Sequence, residues 1–305
     1  MARANKRNKK PGRGGRIAII GFCVLLTLLL AAVGIGAINA TIVRIRRADV
    51  VLLDLPPSFD GATVLYVSDI DLCGLNTAQK AGELFQRLQS LRPDLLLLGG
   101  DYTSTSLLDA LNRPGHSPED DAATSRERMS FFHYIASFDA PMGKFGIAAP
   151  EDPDHQALRS LMEESGVRPL FNDRTAIRSG ADTLWLVGIC EESANLNSAG
   201  SAFRRDDCVL VTTYSPTVLP ILLTSEASDG GRWADLALCG HTHGGQVRLF
   251  GRSMLSLDSR ERRFLTGWSV DSGLPILVTE GLGCEGLNLR LGTRSEVWLI
   301  TLKRG

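Results

Sequence analysis

The chain has 305 residues, 44% hydrophobic and 22% charged, a composition that excludes disordered, collagen-like and multi-span membrane proteins. Six cysteines are too few for a disulfide scaffold. The formal net charge of −1 hides an asymmetry: residues 1–48 hold ten Lys/Arg and no acid, which leaves 23 basic against 34 acidic residues beyond them, a net of −11. A body this acidic has no general attraction for nucleic acid, which is bound through basic side chains on phosphate.

Ile17–Val43 is a run of 27 residues without a charge. About 20 apolar residues suffice to cross a bilayer core as a helix. Seven of the ten basic residues precede the run and three follow it. That bias predicts a cytoplasmic N-terminus and an extracytoplasmic body, in a single-pass protein of the cell membrane. A cleaved signal peptide fits less well, because Ile38 sits where a cleavage site has a small residue. The expected organisation is a basic cytoplasmic tail over 1–16, a transmembrane anchor over 17–43, a connecting segment over 44–62 and one domain over 63–305.

Pro56-Pro57 punctuates the connection. Thr63–Ser68 then reads as a buried strand. Thr77 can cap a helix to about Leu91, whose apolar residues Ala81, Leu84, Phe85, Leu88 and Leu91 recur at helical spacing. Asp94–Leu98 is a second buried strand. Residues 103–124, rich in Ser, Thr, Pro and Asp, read as a long surface loop. A helix follows from about Ser125 to Phe138, then a strand over Lys144–Ala149 and a helix over Asp154–Ser165. Strands dominate thereafter, around Thr183–Val187, Cys208–Thr213, Leu236–Cys239, Pro275–Thr279 and Glu296–Leu302. The order implies an α/β fold with more than one sheet.

Four strands end in polar residues. The first runs into Asp69-Ile70-Asp71, the second into Gly99-Gly100-Asp101, the third into Pro150-Glu151-Asp152, and the strand ending at Cys239 into Gly240-His241-Thr242-His243-Gly244-Gly245. In α/β sheets ligands gather beyond the carboxyl ends of strands. Asp69, Asp71, Asp101, His241 and His243 are therefore candidate ligands to one centre. Carboxylates mixed with imidazoles suit Mn, Fe or Zn, and Mg where oxygen dominates. Each motif alone has a bland reading as a turn or a satisfied side chain; their joint occurrence at strand ends favours a metal site. His116 and His133 are assigned no function, and His155 reads as a surface helix residue.

In this order the motifs resemble those of the calcineurin-like metallophosphoesterases, in particular a membrane-anchored bacterial branch. The tail Glu280-Gly281-Leu282-Gly283 and Leu289-Arg290 resembles that branch's closing strands. The resemblance implies a four-layer αββα sandwich with two metals at the strand ends. It places Asp69, Asp71, Asp101 and His243 around one metal, and leaves Asp101 and His241 for the other. The family's Asn and His of G-N-H fall on Pro150 and Glu151, and its lone His falls on Tyr214. Proline offers no ligand and a tyrosine hydroxyl is a poor one. The expectation is therefore one divalent ion rather than two, with Mn or Mg favoured and Zn or Fe possible. Glu151 and Asp152 become the candidate catalytic residues. Arg290 and Tyr214 become candidate contacts to an anionic substrate. Two functions follow: metal-dependent phosphoester hydrolysis on a reduced site, or a catalytically inactive relative serving as an extracytoplasmic binding or scaffolding module. A phosphorylated small molecule, a lipid or an envelope component could be the partner.

Overall fold

The computed structural model describes residues 13–106, 111, 122–152, 154–190 and 195–305. Residues 1–12 of the basic tail, most of the loop expected over 103–124, and His116 lie outside them.

Arg13–Thr41 is a single helix, long and apolar enough to cross a membrane. Its apolar side chains are exposed along nearly its whole length, and only near its end is a residue, Gly36, buried. A helix with few apolar partners among the described residues is suited to lipid.

Strand β1 (Arg44–Leu52) follows at once. Residues 44–52 of the connection expected over 44–62 are therefore a strand of the first sheet, and this is a correction. β1 lies parallel to the last strand, with Arg44 opposite Glu296 and Leu52 opposite Arg304. Its exposed first half carries Arg44, Arg46 and Arg47. Such charge is usual on a sheet edge and hides the strand from a hydrophobicity reading.

The remaining strands are β2 (Thr63–Val67), β3 (Leu95–Leu98), β4 (Lys144–Gly146), β5 (Val167–Pro169), β6 (Arg174–Ser179), β7 (Asp182–Ile189), β8 (Val209–Thr213), β9 (Leu236–Cys239), β10 (Arg248–Leu249), β11 (Arg252–Ser253), β12 (Gly267–Asp271), β13 (Leu274–Val278) and β14 (Glu296–Arg304). One six-stranded sheet has the order β1-β14-β2-β3-β4-β5, and the other β12-β13-β9-β8-β7-β6. β10 and β11 form a separate small hairpin.

The two sheets share a core. Leu184, Leu186, Leu210, Leu236, Leu238 and Leu277 of the second sheet pack in one cluster with Val64, Leu65 and Leu95–Leu98 of the first. Their sequence neighbours Val187, Val209, Val211, Ala237, Cys239 and Ile276 point the other way, onto Leu196, Phe203, Leu219, Leu222 and Trp233. This is the period-two alternation of a strand buried on both faces. Helices Ala78–Leu88 and Ala122–Ala136 cover the outer face of the first sheet, joined by an edge-to-face contact of Phe85 with Phe131 at 5.7 Å. Thr77 caps the first of them, accepting the N–H of Lys80 at 3.4 Å. The result is the four-layer αββα arrangement, preceded by one apolar helix. The six cysteines form no disulfide.

Candidate metal centre

The loops after β2, β3, β9 and β13 converge. Ile70 and Asp71 donate their N–H groups to the Asp101 carbonyl at 2.8 and 3.0 Å. Gly283 donates to the Asp69 carbonyl at 2.6 Å. His241 donates its backbone N–H to Asp69 Oδ1 at 2.8 Å. Each strand must turn sharply as it leaves its sheet. Asp69, Asp71, Asp101, His241 and His243 all adopt left-handed backbone, with φ of 52°, 49°, 57°, 72° and 47°. Asp and His tolerate this region better than most residues, yet each such turn stores strain of the kind found at functional sites. Two glycines make the approach possible. A Cβ on Gly240 would stand 2.1 Å from Ser68 Oγ, and one on Gly281 2.6 Å from Asp69 Oδ2.

Asp69, Asp101 and His243 are buried, and each offers a donor atom within 4.8 Å of the others. Asp71 lies beside them, with Oδ2 3.7 Å from His243 Nδ1. Asp69 Oδ2 and Asp71 Oδ2 are buried without a hydrogen-bond partner. Leaving a buried carboxylate oxygen unpaired is costly. Burial raises the Asp69 pKa to about 6. Burial raises Asp71 and Asp101 well above the usual carboxylate range, and each is raised further by its acidic neighbours. Burial, and then Arg290, holds His243 in its neutral form. Neutral imidazole and closely spaced carboxylates are what a divalent cation requires, and its charge reverses their mutual repulsion. These residues therefore fit one such ion.

His241 stands apart from that trio. Its Nδ1 lies 2.6 Å from the Tyr214 hydroxyl and its Nε2 lies 2.9 Å from Glu261 Oε1. His241, expected to offer one of its ring nitrogens to a metal, has both engaged in these hydrogen bonds. Glu261 was not legible as a site residue. Its spacing from Asp258 marks only a helix start, and both capping contacts are present at Ser259–Arg263. Tyr214 is buried, and its hydroxyl is pushed upward by burial first, then by Asp101 and Glu151.

The other expected residues divide. Glu151 is exposed, and its carboxylate lies close enough to push the Tyr214 hydroxyl upward. Asp152, expected to be catalytic, is instead a buried clamp. Its Oδ2 accepts the N–H groups of Ala149 and Asp101 at 2.8 and 3.1 Å, and its Oδ1 accepts that of Tyr102 at 2.7 Å. Arg290, expected at the substrate, is fully buried. Its guanidinium donates to the carbonyls of Gly283, Gly281 and His243, and reaches His243 Nδ1 at 3.4 Å. It braces the ligand loops from behind. His155 is half-buried and joins the Ala149 carbonyl at 2.8 Å.

No family model matches the chain. Its sequence does match those of known proteins. It is 22% identical over 268 residues to the uncharacterized metallophosphoesterase YkoQ of Bacillus subtilis, covering 85% of this chain and 90% of that one. It is 29% identical over 213 residues to the phosphodiesterase YaeI of Escherichia coli, covering 69% and 71%. It is 24% identical over 297 residues to a transmembrane protein with metallophosphoesterase domain of Danio rerio, covering 92% and 62%. The last relative and the apolar N-terminal helix both support membrane association. These relatives, together with the motifs on converging strand ends in the family's order, support the calcineurin-like metallophosphoesterase family for this chain.

Proposed function

We propose that the body hydrolyses phosphoesters at a single divalent ion held by Asp69, Asp101 and His243, with Asp71 beside them. The observation that carries this is the pair of buried, unpartnered oxygens on Asp69 and Asp71 within a cluster of donor atoms. An oxygen-rich set favours Mn²⁺ or Mg²⁺, with Zn²⁺ or Fe as alternatives. A cation bound there supplies positive charge to a phosphoryl group and activates water toward it. The protein's own groups do the rest. Arg290 fixes the carbonyls of the ligand loops, and Asp152 fixes the loop that presents Glu151. Glu151 and Tyr214 lie against each other beside Asp101, where a leaving-group oxygen could receive a proton. His241 and Glu261 hold the Tyr214 hydroxyl in place.

The relative named as a phosphodiesterase supports bis(p-nitrophenyl) phosphate as the first probe. The test is ion content by elemental analysis together with turnover of that probe by the full chain in detergent. About one ion per chain, with ion and turnover both lost in Asp101→Ala, supports the reading. Two ions, or metal-independent turnover, overturn it.

The second reading is an inactive binding module. It is favoured by one observation: both nitrogens of His241 are committed to hydrogen bonds, which leaves neither for a second ion. One bound ion with no turnover of any phosphoester would select it. In either case we place the body outside the cytoplasm.

A further inference from the structure

The apolar helix does not end free of the body. The Arg290 N–H donates to the Gly36 carbonyl at 3.0 Å, and Asn39 Nδ2 donates to the Arg290 carbonyl at 3.2 Å. Ser295 donates its N–H to the Asn39 carbonyl and its hydroxyl to that of Ala40, both at 3.1 Å. A Cβ on Gly36 would stand 2.5 Å from Leu289 Cδ1. Residues 289–295 are thus fixed to the last turns of the helix. A helix rises 1.5 Å per residue, so Gly36 is within about 8 Å of the helix end at Thr41. Where the helix leaves a bilayer, residues 289–295 lie at its surface.

That segment also carries the hairpin of β10 and β11. Arg248 donates its N–H to Leu291 at 2.7 Å, and Leu291 donates to Gln246 at 3.1 Å. The hairpin follows directly on the loop of His243, and Ser253 Oγ returns to the Gly245 carbonyl at 3.2 Å. Its tip is Phe250, with a relative exposure of 105%, flanked by exposed Leu249 and Arg252. Leu287 and Met254 are exposed close by in the chain. Leu287 accepts from Gln246 Nε2 at 3.1 Å, and Met254 donates its N–H to Val247 at 2.8 Å. Leu75, exposed as well, lines one cleft with Ala40, Thr41 and Val43 at the helix end. Single exposed apolar residues need no explanation. Five of them tied by hydrogen bonds or a shared cleft to one helix exit make a patch.

We propose that the Phe250 hairpin tip, with Leu249, Met254, Leu287 and Leu75, inserts into the leaflet from which the helix emerges, so that the centre at Asp69, Asp101 and His243 faces the lipid headgroup layer. The occupant of this surface is the bilayer itself. The patch is continuous with the helix that crosses it, and a large apolar tip beside a basic side chain is the composition of interfacial segments. The insertion stands independently of the hydrolase reading. The corollary that a phosphoester substrate arrives from the headgroup layer rests on that reading.

The test reconstitutes the full chain in phosphatidylcholine–phosphatidylglycerol vesicles whose acyl chains are brominated, and compares Phe250→Trp with Val270→Trp. Val270 is also solvent-exposed, at 71%, but pairs with Pro275, at the end of β13 away from the centre. Insertion predicts that the tryptophan at 250 loses emission to the bromines and that the one at 270 does not. Equal behaviour of the two variants, quenched or unquenched, overturns the insertion. So does failure of the protein to float with the vesicles. A second arm uses Phe250→Glu with two probes, bis(p-nitrophenyl) phosphate and a vesicle-borne p-nitrophenyl ester of phosphatidic acid. Loss of turnover on the lipid alone supports presentation from the membrane, and equal rates on both overturn it. If wild-type protein turns over neither probe, the hydrolase reading fails, and the quenching result still decides the insertion.

Discussion

The hydroxyl of Tyr214 lies 2.6 Å from Nδ1 of His241, on the opposite side of the imidazole from Glu261. In a two-ion relative this histidine is expected to face metal. Here it is the middle link of a hydrogen-bonded line from Glu261 to Tyr214, with the exposed Glu151 carboxylate near the tyrosine end.

The two histidines of the His-x-His turn should therefore separate experimentally. His243→Ala is expected to lose the bound ion, whereas His241→Ala keeps it. Elemental analysis of the two purified variants checks this. Loss of the ion in both would restore His241 as a ligand.

The line through His241 predicts non-additive effects on rate. Tyr214→Phe and Glu261→Gln are each expected to slow phosphodiester turnover about tenfold with ion content unchanged, and the double variant to be little worse than either single one. A double-mutant cycle on kcat measures the coupling. Fully additive losses would show that the residues act separately.

Asp152 and Glu151 are adjacent but predict opposite phenotypes. Asp152→Ala leaves three buried N–H groups without an acceptor, and a loss of about 2–5 kcal/mol in unfolding free energy is expected. Glu151→Ala, at an exposed site, should change stability by less than about 0.5 kcal/mol while lowering turnover. Thermal or urea unfolding of both variants beside their kcat values tests the division.

The buried carboxylates set a pH dependence for the metal-free protein. Asp69 and Asp152 titrate at about 6 in the fold, against 3.8 for an ordinary aspartate. Below 3.8 folded and unfolded chains both hold these protons. Between 3.8 and about 6 the folded chain holds more, so stability falls as pH rises through that window. Asp71 and Asp101, raised in the same direction, carry the fall further upward. In EDTA the melting temperature is expected to drop from pH 5 to pH 8. Added Mn²⁺ should restore it at pH 8 and do little at pH 5. A flat EDTA profile would mean that the carboxylates are not buried together.

Much of this arrangement was legible before the structure. Leu95–Leu98 reads as a strand because a central parallel strand is buried on both faces, and such burial leaves an unbroken apolar run. Asp69, Asp101 and His243 are readable because they follow such runs directly. The unread parts share a physical cause, in that a side chain's destination is set by tertiary contacts. Arg290 is cationic and looks like an anion contact, yet the carbonyls it meets are those of Gly281 and Gly283 earlier in its own loop and of His243 in another. Asp152 resembles a catalytic acid until the three N–H groups around it are seen. β1 is concealed by its arginines, because an edge strand needs only part of its length to be apolar.

The pairing of β1 with β14 has a consequence for how the protein is made. Two residues separate β1 from the apolar helix, and its register partner Glu296 belongs to β14, synthesised after the other described strands. A chain inserted through its helix places β1 at the membrane early, and there it waits, with its pairing edge open, until β14 emerges. Completion of the first sheet is then a late, long-range closure made against the lipid surface. A chain stalled before Glu296 would leave that edge exposed, a natural target for quality-control proteases.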